Sequence, residues 1–139
     1  SIDVLRVLKM VLIHDIVEID SGDTFIYDTQ KNHVNTDEER LAANRIFGIL
    51  PKEQAEELIA IWEEFEAGET NEAKFAKAMD RLEPLLQNTS NNGGTWAEFN
   101  VNYSTVYEKK QAIENGSDSI WAYANELLTN SIEKGILKK

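Results

Sequence analysis

Apolar residues recur at helical spacing in several separate stretches of the chain. The first stretch covers residues 1 to about 17, and its apolar side chains fall on more than one face, as in a buried central helix. Residues 18–35 are mostly polar or turn-forming, which indicates a loop. No stretch alternates with period two, so the sequence predicts an all-α fold. Further helical runs begin near Thr36, near Pro51 and at residues 70–72, and two more cover residues 104–114 and 117–133.

Local signals place some of the helix boundaries. Thr36 followed by Glu39 is typical of a capping box at a helix N-terminus, and Gly68 marks a helix end. Pro84 lies inside the fourth helical run and predicts a kink, because proline removes a backbone donor and crowds the preceding turn. Residues 88–95 are polar and contain two glycines, which indicates a second loop.

Composition and charge narrow the class of protein. The chain has 139 residues, of which 42% are hydrophobic, and this predicts a single folded domain. Its formal net charge of −11 repels phosphate backbones, so we expect no binding to a nucleic acid polymer. The sequence contains no cysteine, no recognisable signal peptide and no long apolar segment. We therefore expect a cytoplasmic protein that does not bind a membrane.

Four potential ligands or acids follow one another at the end of the first apolar run: His14, Asp15, Glu18 and Asp23. The adjacent imidazole and carboxylate can bind one divalent ion, and Glu18, one helical turn further on, can border the same cavity. So many acids in ten residues repel one another unless a cation or ordered solvent stabilises them. Each residue also has a structural explanation, since a lone histidine often belongs to a core and acidic residues often cap loops.

A third metal ligand is needed, because two adjacent ligands alone bind an ion weakly. The best candidate is Asp80, an acidic residue in an otherwise apolar part of the fourth helical run. Its neighbour Arg81 offers the alternative that Asp80 only forms an ion pair. A site of imidazole and carboxylates accepts Mn, Fe, Co, Ni or Zn, so the residues indicate a divalent cation without selecting one.

Four short motifs occur in a fixed order along the chain: HDxxE from His14 to Glu18, the pair Gly22-Asp23, WEEFE from Trp62 to Glu66 and DxLE from Asp80 to Glu83. Together they resemble the motifs of the HD-domain metal-dependent phosphohydrolases. Within that family the chain is most similar to the 5′-deoxynucleotidases and their relatives. The similarity extends over nearly the whole chain, including Gly93-Gly94-Thr95-Trp96 and the last helix.

The resemblance implies a compact helical HD-domain bundle and a role for each site residue. His14 and Asp15 match the HD pair and Asp80 matches the distant aspartate, so these three would hold the metal. Glu18 matches the acid that orients the attacking water, and Asp23 matches the one that assists proton transfer near the water or the leaving oxygen.

One family ligand has no match in the sequence. The first histidine of the family lies on a helix that precedes the equivalent of Ser1, so we expect an N-terminally incomplete domain that lacks one or more helices. The apolar run that begins almost at Ser1, with nothing upstream to cover it, favours the same interpretation. His33 is the remaining histidine and is not preferred as a replacement ligand.

Three functional hypotheses follow. The first is hydrolysis of a small phosphomonoester, by resemblance a (deoxy)nucleoside monophosphate. The second is a binding or regulatory module that keeps the HD scaffold without turnover. The third treats the acidic helices as a protein-interaction surface and the HD pair as incidental. The resemblance and the apolar first helix are also compatible with a homodimer.

Overall fold

The computed structural model describes residues 1–23, 26–27 and 36–139. Within these residues every regular element is a helix, apart from an isolated parallel bridge between Asn102 and Lys138. The all-α prediction is confirmed. None of the described helices is both long and apolar enough to cross a bilayer. His33 and the side chain of Thr36, the proposed helix cap, lie outside the described residues.

The chain divides into two compact units, Ser1–Ala73 and Lys74–Lys139, which are described separately. The prediction of a single domain stays a prediction. The first unit contains helices α1 (Val4–Ile13), α2 (Glu18–Ser21), α3 (Thr36–Phe47) and α4 (Lys52–Ala67), with a 3-10 turn (His14–Val17) between α1 and α2.

Helix α1 begins after Asp3, whose side chain accepts a hydrogen bond from the backbone N–H of Arg6. Basic side chains of α1 pair with acidic side chains of α4, since Arg6 Nε donates to Glu64 at 2.6 Å and Lys9 pairs with Glu57. Part of the acidic face of α4 therefore pairs with basic side chains of α1.

Within the described part of the chain, the first apolar run is not buried on every side. Helix α1 buries Val7, Met10 and Ile13. Four other apolar side chains on the helix are 53–74% exposed: Val4, Leu5, Leu8 and Leu12. Among the residues that the structure describes, α1 is therefore covered on one face, and burial of the helix on its other faces stays a prediction.

The polar stretch after the HD pair begins as helix rather than as loop. The 3-10 turn leads directly into α2, which ends at Ser21 with Gly22 as its C-cap, so the predicted loop starts about four residues later than the sequence pattern indicated. The backbone can tighten into a 3-10 turn without losing its local hydrogen bonding, and polar composition does not reveal that choice.

The second unit carries the other helices. The unit boundary falls near the start of α5, which continues through Pro84. Asn88 extends helical structure into the predicted second loop, because its side chain donates to the Pro84 carbonyl and accepts from the N–H of Thr95, both at 2.8 Å. The helices are α5 (Asn71–Ser90), α6 (Gly94–Glu98), α7 (Tyr103–Lys110) and α8 (Asp118–Glu133), with a 3-10 turn (Gln111–Asn115) after α7.

Each unit has aromatic side chains in its core. Trp62 is buried in the first unit, and Trp96 and Trp121 are buried in the second. Around Trp121, the ring of Tyr107 makes an edge contact at a centroid distance of 5.3 Å. Buried indoles of this size contribute much of the apolar area that stabilises a small helical unit.

Candidate metal and catalytic site

His14 is the first residue after α1, and its ring is fixed by two neighbours. Only 10% of the side chain is exposed, and the ring lies against that of Phe65 at a centroid distance of 4.5 Å. Nδ1 is 3.0 Å from the backbone carbonyl oxygen of Val11. Because a carbonyl oxygen can only accept, this hydrogen bond requires a proton on Nδ1. A neutral imidazole held in this way carries its lone pair on Nε2.

The lone-pair atom of His14 faces a carboxylate oxygen. Nε2 lies 3.0 Å from Oδ1 of Asp15, whose side chain is 67% exposed. Two electron-rich atoms this close repel each other unless a proton or a metal ion stabilises them. Two metal–ligand bonds of about 2.1 Å that meet at about 90° would separate their donor atoms by about 3.0 Å. The pair therefore has the chemistry and the spacing to hold one divalent cation.

Glu18 begins α2, one turn after this pair. Burial is the largest cause that raises the pKa of its carboxyl group, to about 7, and the negative charges of Asp15 and Asp23 raise it further. A positively charged His14 would have the opposite effect. A carboxyl group with a pKa near neutrality can both accept and return a proton at physiological pH.

Asp23 follows the turn that ends α2. Gly22 has a φ of 82°, in the region that favours glycine, and its N–H donates to the carbonyl oxygen of Glu18 at 2.8 Å. This turn leaves Asp23 exposed, with its charge acting on the Glu18 carboxyl. In the first unit, the structure thus brings together four residues that the sequence selected: His14, Asp15, Glu18 and Asp23.

Asp80 lies half-buried in α5, in the second unit. Its negative charge favours the ammonium form of Lys110, whose pKa burial lowers to about 8. The guanidinium of Arg81 donates to the backbone carbonyl of Lys109 at 2.7 Å. The role of Asp80 as a third metal ligand stays a prediction.

Sequence reasoning missed the groups that support the site residues. The Val11 carbonyl and the Phe65 ring orient His14, but a motif search does not register a backbone oxygen or a ring from another helix. The sequence pattern could have identified Lys110 as unusual. It shares a helical face with Val106 and Ile113, both buried, and a lysine on such a face needs a compensating partner.

Comparison with known proteins decides the family. The family model described as HD domain matches residues 1–121, a range that contains all five predicted site residues. The chain belongs to the HD-domain family. The resemblance noted from the motifs is confirmed, and the HDxxE motif of this HD domain lies where α1 gives way to the 3-10 turn.

Curated relatives of this HD domain are 5′-deoxynucleotidases. The protein 5′-deoxynucleotidase HDDC2 of Mus musculus is 34% identical over 82 residues, which is 59% of the chain and 41% of that relative. HDDC2 of Dictyostelium discoideum is 34% identical over 87 residues, covering 63% of the chain and 46% of the relative. The matches therefore span less than half the length of these relatives.

A solved structure is similar over almost the whole chain. It is the crystal structure of a predicted metal-dependent phosphohydrolase from Magnetospirillum magnetotacticum, with 46% sequence identity and a TM-score of 0.90. The match covers 99% of this HD domain and 70% of the solved chain. The all-α HD-domain fold is thereby confirmed.

Proposed function

We propose that this HD domain is a metal-dependent hydrolase of small phosphomonoesters, and that its substrates are (deoxy)nucleoside 5′-monophosphates. The observation that carries the proposal is the lone-pair nitrogen of His14 facing the Asp15 carboxylate at 3.0 Å, next to Glu18 with its raised pKa. The substrate class is supported by the 5′-deoxynucleotidase relatives, and the metal-dependent phosphohydrolase from M. magnetotacticum supports the reaction type.

We assign His14, Asp15 and Asp80 as protein ligands of a divalent cation. The hydrogen bond to Val11 fixes the metal-binding tautomer of His14, and such orienting contacts commonly strengthen metal binding. The chain has a net charge of −11, so a dianionic phosphate needs a local positive charge in order to bind. When bound, a divalent cation supplies that charge and makes a bound water more acidic.

Glu18 and Asp23, which lie next to the His14–Asp15 pair, then each take part in one proton transfer. Glu18 orients the attacking water and accepts its proton, since its carboxyl lies close enough to Asp15 for that negative charge to raise its pKa. Water oxygen forms a bond to phosphorus, the ester P–O bond breaks, and the alcohol leaves with a proton that Asp23 helps to deliver. The products are inorganic phosphate and a nucleoside, and no covalent phosphoenzyme is formed.

We also propose that the reaction takes place in the cytoplasm, since a protein without cysteine gains nothing from an oxidising compartment in which disulfides form. The proposed substrate is a small molecule rather than a nucleic acid polymer, because the acidic surface disfavours a long phosphate backbone. A homodimer remains a proposal drawn from the sequence.

Phosphate release by the full-length protein from a panel of 5′-monophosphates tests the function. With Mn²⁺ or Co²⁺ present, we expect turnover of at least one deoxynucleoside monophosphate, and we expect Glu18→Gln to reduce kcat by about 10²–10⁴-fold. The matched control is Glu53→Gln, because Glu53 is exposed in the first turn of α4 and takes no part in the proposed site. No phosphate release from any substrate, with one metal ion bound per chain, would contradict the hydrolase.

Metal binding separates the hydrolase from a module without turnover. Asp80→Asn is expected to abolish binding of Mn²⁺ with little change in helix content by circular dichroism. Asp118→Asn makes the same chemical change at an exposed aspartate of the same unit and is expected to leave binding intact. Unchanged affinity in Asp80→Asn would remove Asp80 from the site, whereas tight binding without turnover would favour the regulatory module.

A further inference from the structure

Two basic residues join helix α5 to the end of helix α7, because the side chain of each donates a hydrogen bond to a backbone carbonyl of the other helix. The Arg81 guanidinium donates to the carbonyl oxygen of Lys109, and the Lys110 ammonium donates to the carbonyl oxygen of Arg81, each at 2.7 Å. We call these two hydrogen bonds the α5–α7 clasp. Each is a charge-assisted hydrogen bond, which is stronger than one between neutral groups.

The ammonium of this clasp is unusually well buried. Lys110 is only 2% exposed, on a helical face shared with the core residues Val106 and Ile113. Lysine is rarely buried to this extent without a partner, because removing its charge from water is costly. The negative charges of Asp80 and Glu83 favour the ammonium, while that of Arg81 opposes it. The buried cation is thus held by one carbonyl and by the acids of α5.

The clasp lies next to a weak point of α5. Pro84 has no N–H, so it cannot donate the helical hydrogen bond to the carbonyl of Asp80, four residues earlier. The proline ring also crowds the same turn. The Lys110 ammonium binds the very next carbonyl, that of Arg81. The clasp therefore supports α5 at the turn where the proline weakens it.

A second contact brings the same parts of the unit together. A Cβ atom built on Gly116, just after the 3-10 turn that follows α7, would lie 2.6 Å from the Cβ of Ala78 and would also collide with the Lys74 carbonyl. Only glycine permits so close an approach of this turn to α5. The clasp and this glycine contact lie on either side of Asp80 along the helix.

We propose that Arg81 and Lys110 are positioning residues, which hold the α5 turn that carries Asp80 and so keep its carboxylate in the orientation needed for metal binding. This inference rests on the proposed function, in which Asp80 is a metal ligand. Neither residue touches substrate or metal in this role, since both act through the backbone of α5.

Electrostatics and positioning predict opposite effects of losing these residues. Arg81 and Lys110 are cations near a proposed ligand of a cation, so their charges alone disfavour a divalent ion. If charge were their main effect, neutral variants would bind metal more tightly. If they position Asp80, neutral variants would bind metal more weakly, because the aspartate must then be ordered when the ion binds.

The experiment is a titration of Mn²⁺ into the metal-free full-length protein by isothermal calorimetry, for Arg81→Gln, Lys110→Met and the native sequence. We expect each variant to bind Mn²⁺ about 10- to 100-fold more weakly, as is typical when a supporting contact is lost. Lys109→Met is the matched control, because it removes one positive charge beside the clasp but keeps the backbone carbonyl that accepts from Arg81. Its affinity is expected to be unchanged or slightly higher.

Two further variants separate positioning from a general loss of stability. Arg81→Lys keeps a donor and a charge and is expected to bind Mn²⁺ more tightly than Arg81→Gln. Pro84→Ala restores the missing backbone donor, so adding Arg81→Gln to it should cost less affinity than in the native chain. All titrations are made at a temperature at which circular dichroism shows the variants to be folded.

The Mn²⁺ affinities of the variants decide whether Arg81 and Lys110 position Asp80. Equal or tighter Mn²⁺ binding in Arg81→Gln, even with a lowered melting temperature, would overturn the inference and leave the clasp with a purely structural role. If Lys110→Met does not fold, Arg81→Gln still decides, because it leaves the buried ammonium and its hydrogen bond in place. If the native chain itself binds no Mn²⁺, the proposed function fails and the inference fails with it, a result distinct from equal binding by native and variant chains.

Discussion

Nδ1 of the His14 imidazole donates to the Val11 carbonyl, while Nε2 lies 3.0 Å from the Asp15 carboxylate. The HDxxE spacing was enough to select His14, Asp15 and Glu18 from the sequence. It did not give the tautomer, because the position of the Val11 carbonyl depends on how the helix tightens into a 3-10 turn. At the scale of single residues, the sequence identifies the side chains that can bind a metal ion, and the structure shows which ring nitrogen of His14 carries the lone pair.

Glu18 should make the metal-free protein less stable as the pH rises. Its folded-state pKa of about 7 lies above the ordinary 4.5, so the folded state binds its proton more tightly. The free energy of unfolding therefore falls as the pH rises from about 4.5 to about 7, and this contribution is constant above that range. Glu18→Gln removes this effect. We therefore expect the substitution to raise the free energy of unfolding by about 1–2 kcal/mol more at pH 8 than at pH 5, a modest value because solvent screens a partly exposed group.

Urea unfolding in EDTA at pH 5 and pH 8 measures this difference. Glu53→Gln is the control, because an exposed glutamate in the first turn of α4 should show no comparable change between the two pH values. A Glu18→Gln variant that is equally stabilised at both pH values would show that the carboxyl of Glu18 does not titrate abnormally.

At the scale of elements, helix α1 shows where sequence patterns reach their limit. The apolar run correctly predicted a helix that ends at the HD pair. It did not predict which face is covered, because Met10 and Leu12 have similar hydrophobicity but opposite exposure. Helix α5 shows a second limit, since its apolar pattern singled out Asp80 but not the two hydrogen bonds next to it, whose partners lie about 30 positions away in the chain.

Substitutions on the two faces of α1 should differ strongly in cost. Met10 is fully buried, so Met10→Ala is expected to lower the free energy of unfolding by about 2–5 kcal/mol. Leu12 is 74% exposed, so Leu12→Ala should change it by no more than about 0.5 kcal/mol. Chemical denaturation of both variants checks this orientation. A loss at Leu12 as large as that at Met10 would mean that the exposed face is covered in solution.

At the scale of the whole molecule, family membership and the all-α class could be predicted from the motifs and their order. The loop boundaries could not, because 3-10 turns and capping side chains such as Asn88 extend helical structure into stretches of polar composition. The net charge of −11 adds a consequence that belongs to the whole chain, since an acidic protein gains from binding a divalent cation even before local geometry is considered.

Binding of a divalent cation should therefore raise the melting temperature. Mn²⁺ at about 100 times its dissociation constant stabilises a folded protein by about 2.7 kcal/mol. For a chain of this size, that corresponds to a rise of about 5–15 °C, which EDTA should reverse. Differential scanning fluorimetry measures the shift. Asp118→Asn should keep it and Asp80→Asn should lose it, whereas the same rise in Asp80→Asn would place the ion elsewhere.

The buried tryptophans give each unit its own optical signal. Trp62 lies in the first unit and Trp96 and Trp121 lie in the second, so their emission should shift to longer wavelength when the respective unit opens to water. Trp62→Phe leaves indoles only in the second unit, and the double change Trp96→Phe and Trp121→Phe leaves one only in the first. A single cooperative domain requires each variant to show the same unfolding midpoint by fluorescence as by circular dichroism. Because the three indoles are divided between the two units, tryptophan fluorescence alone can show whether this chain unfolds in one step or in two.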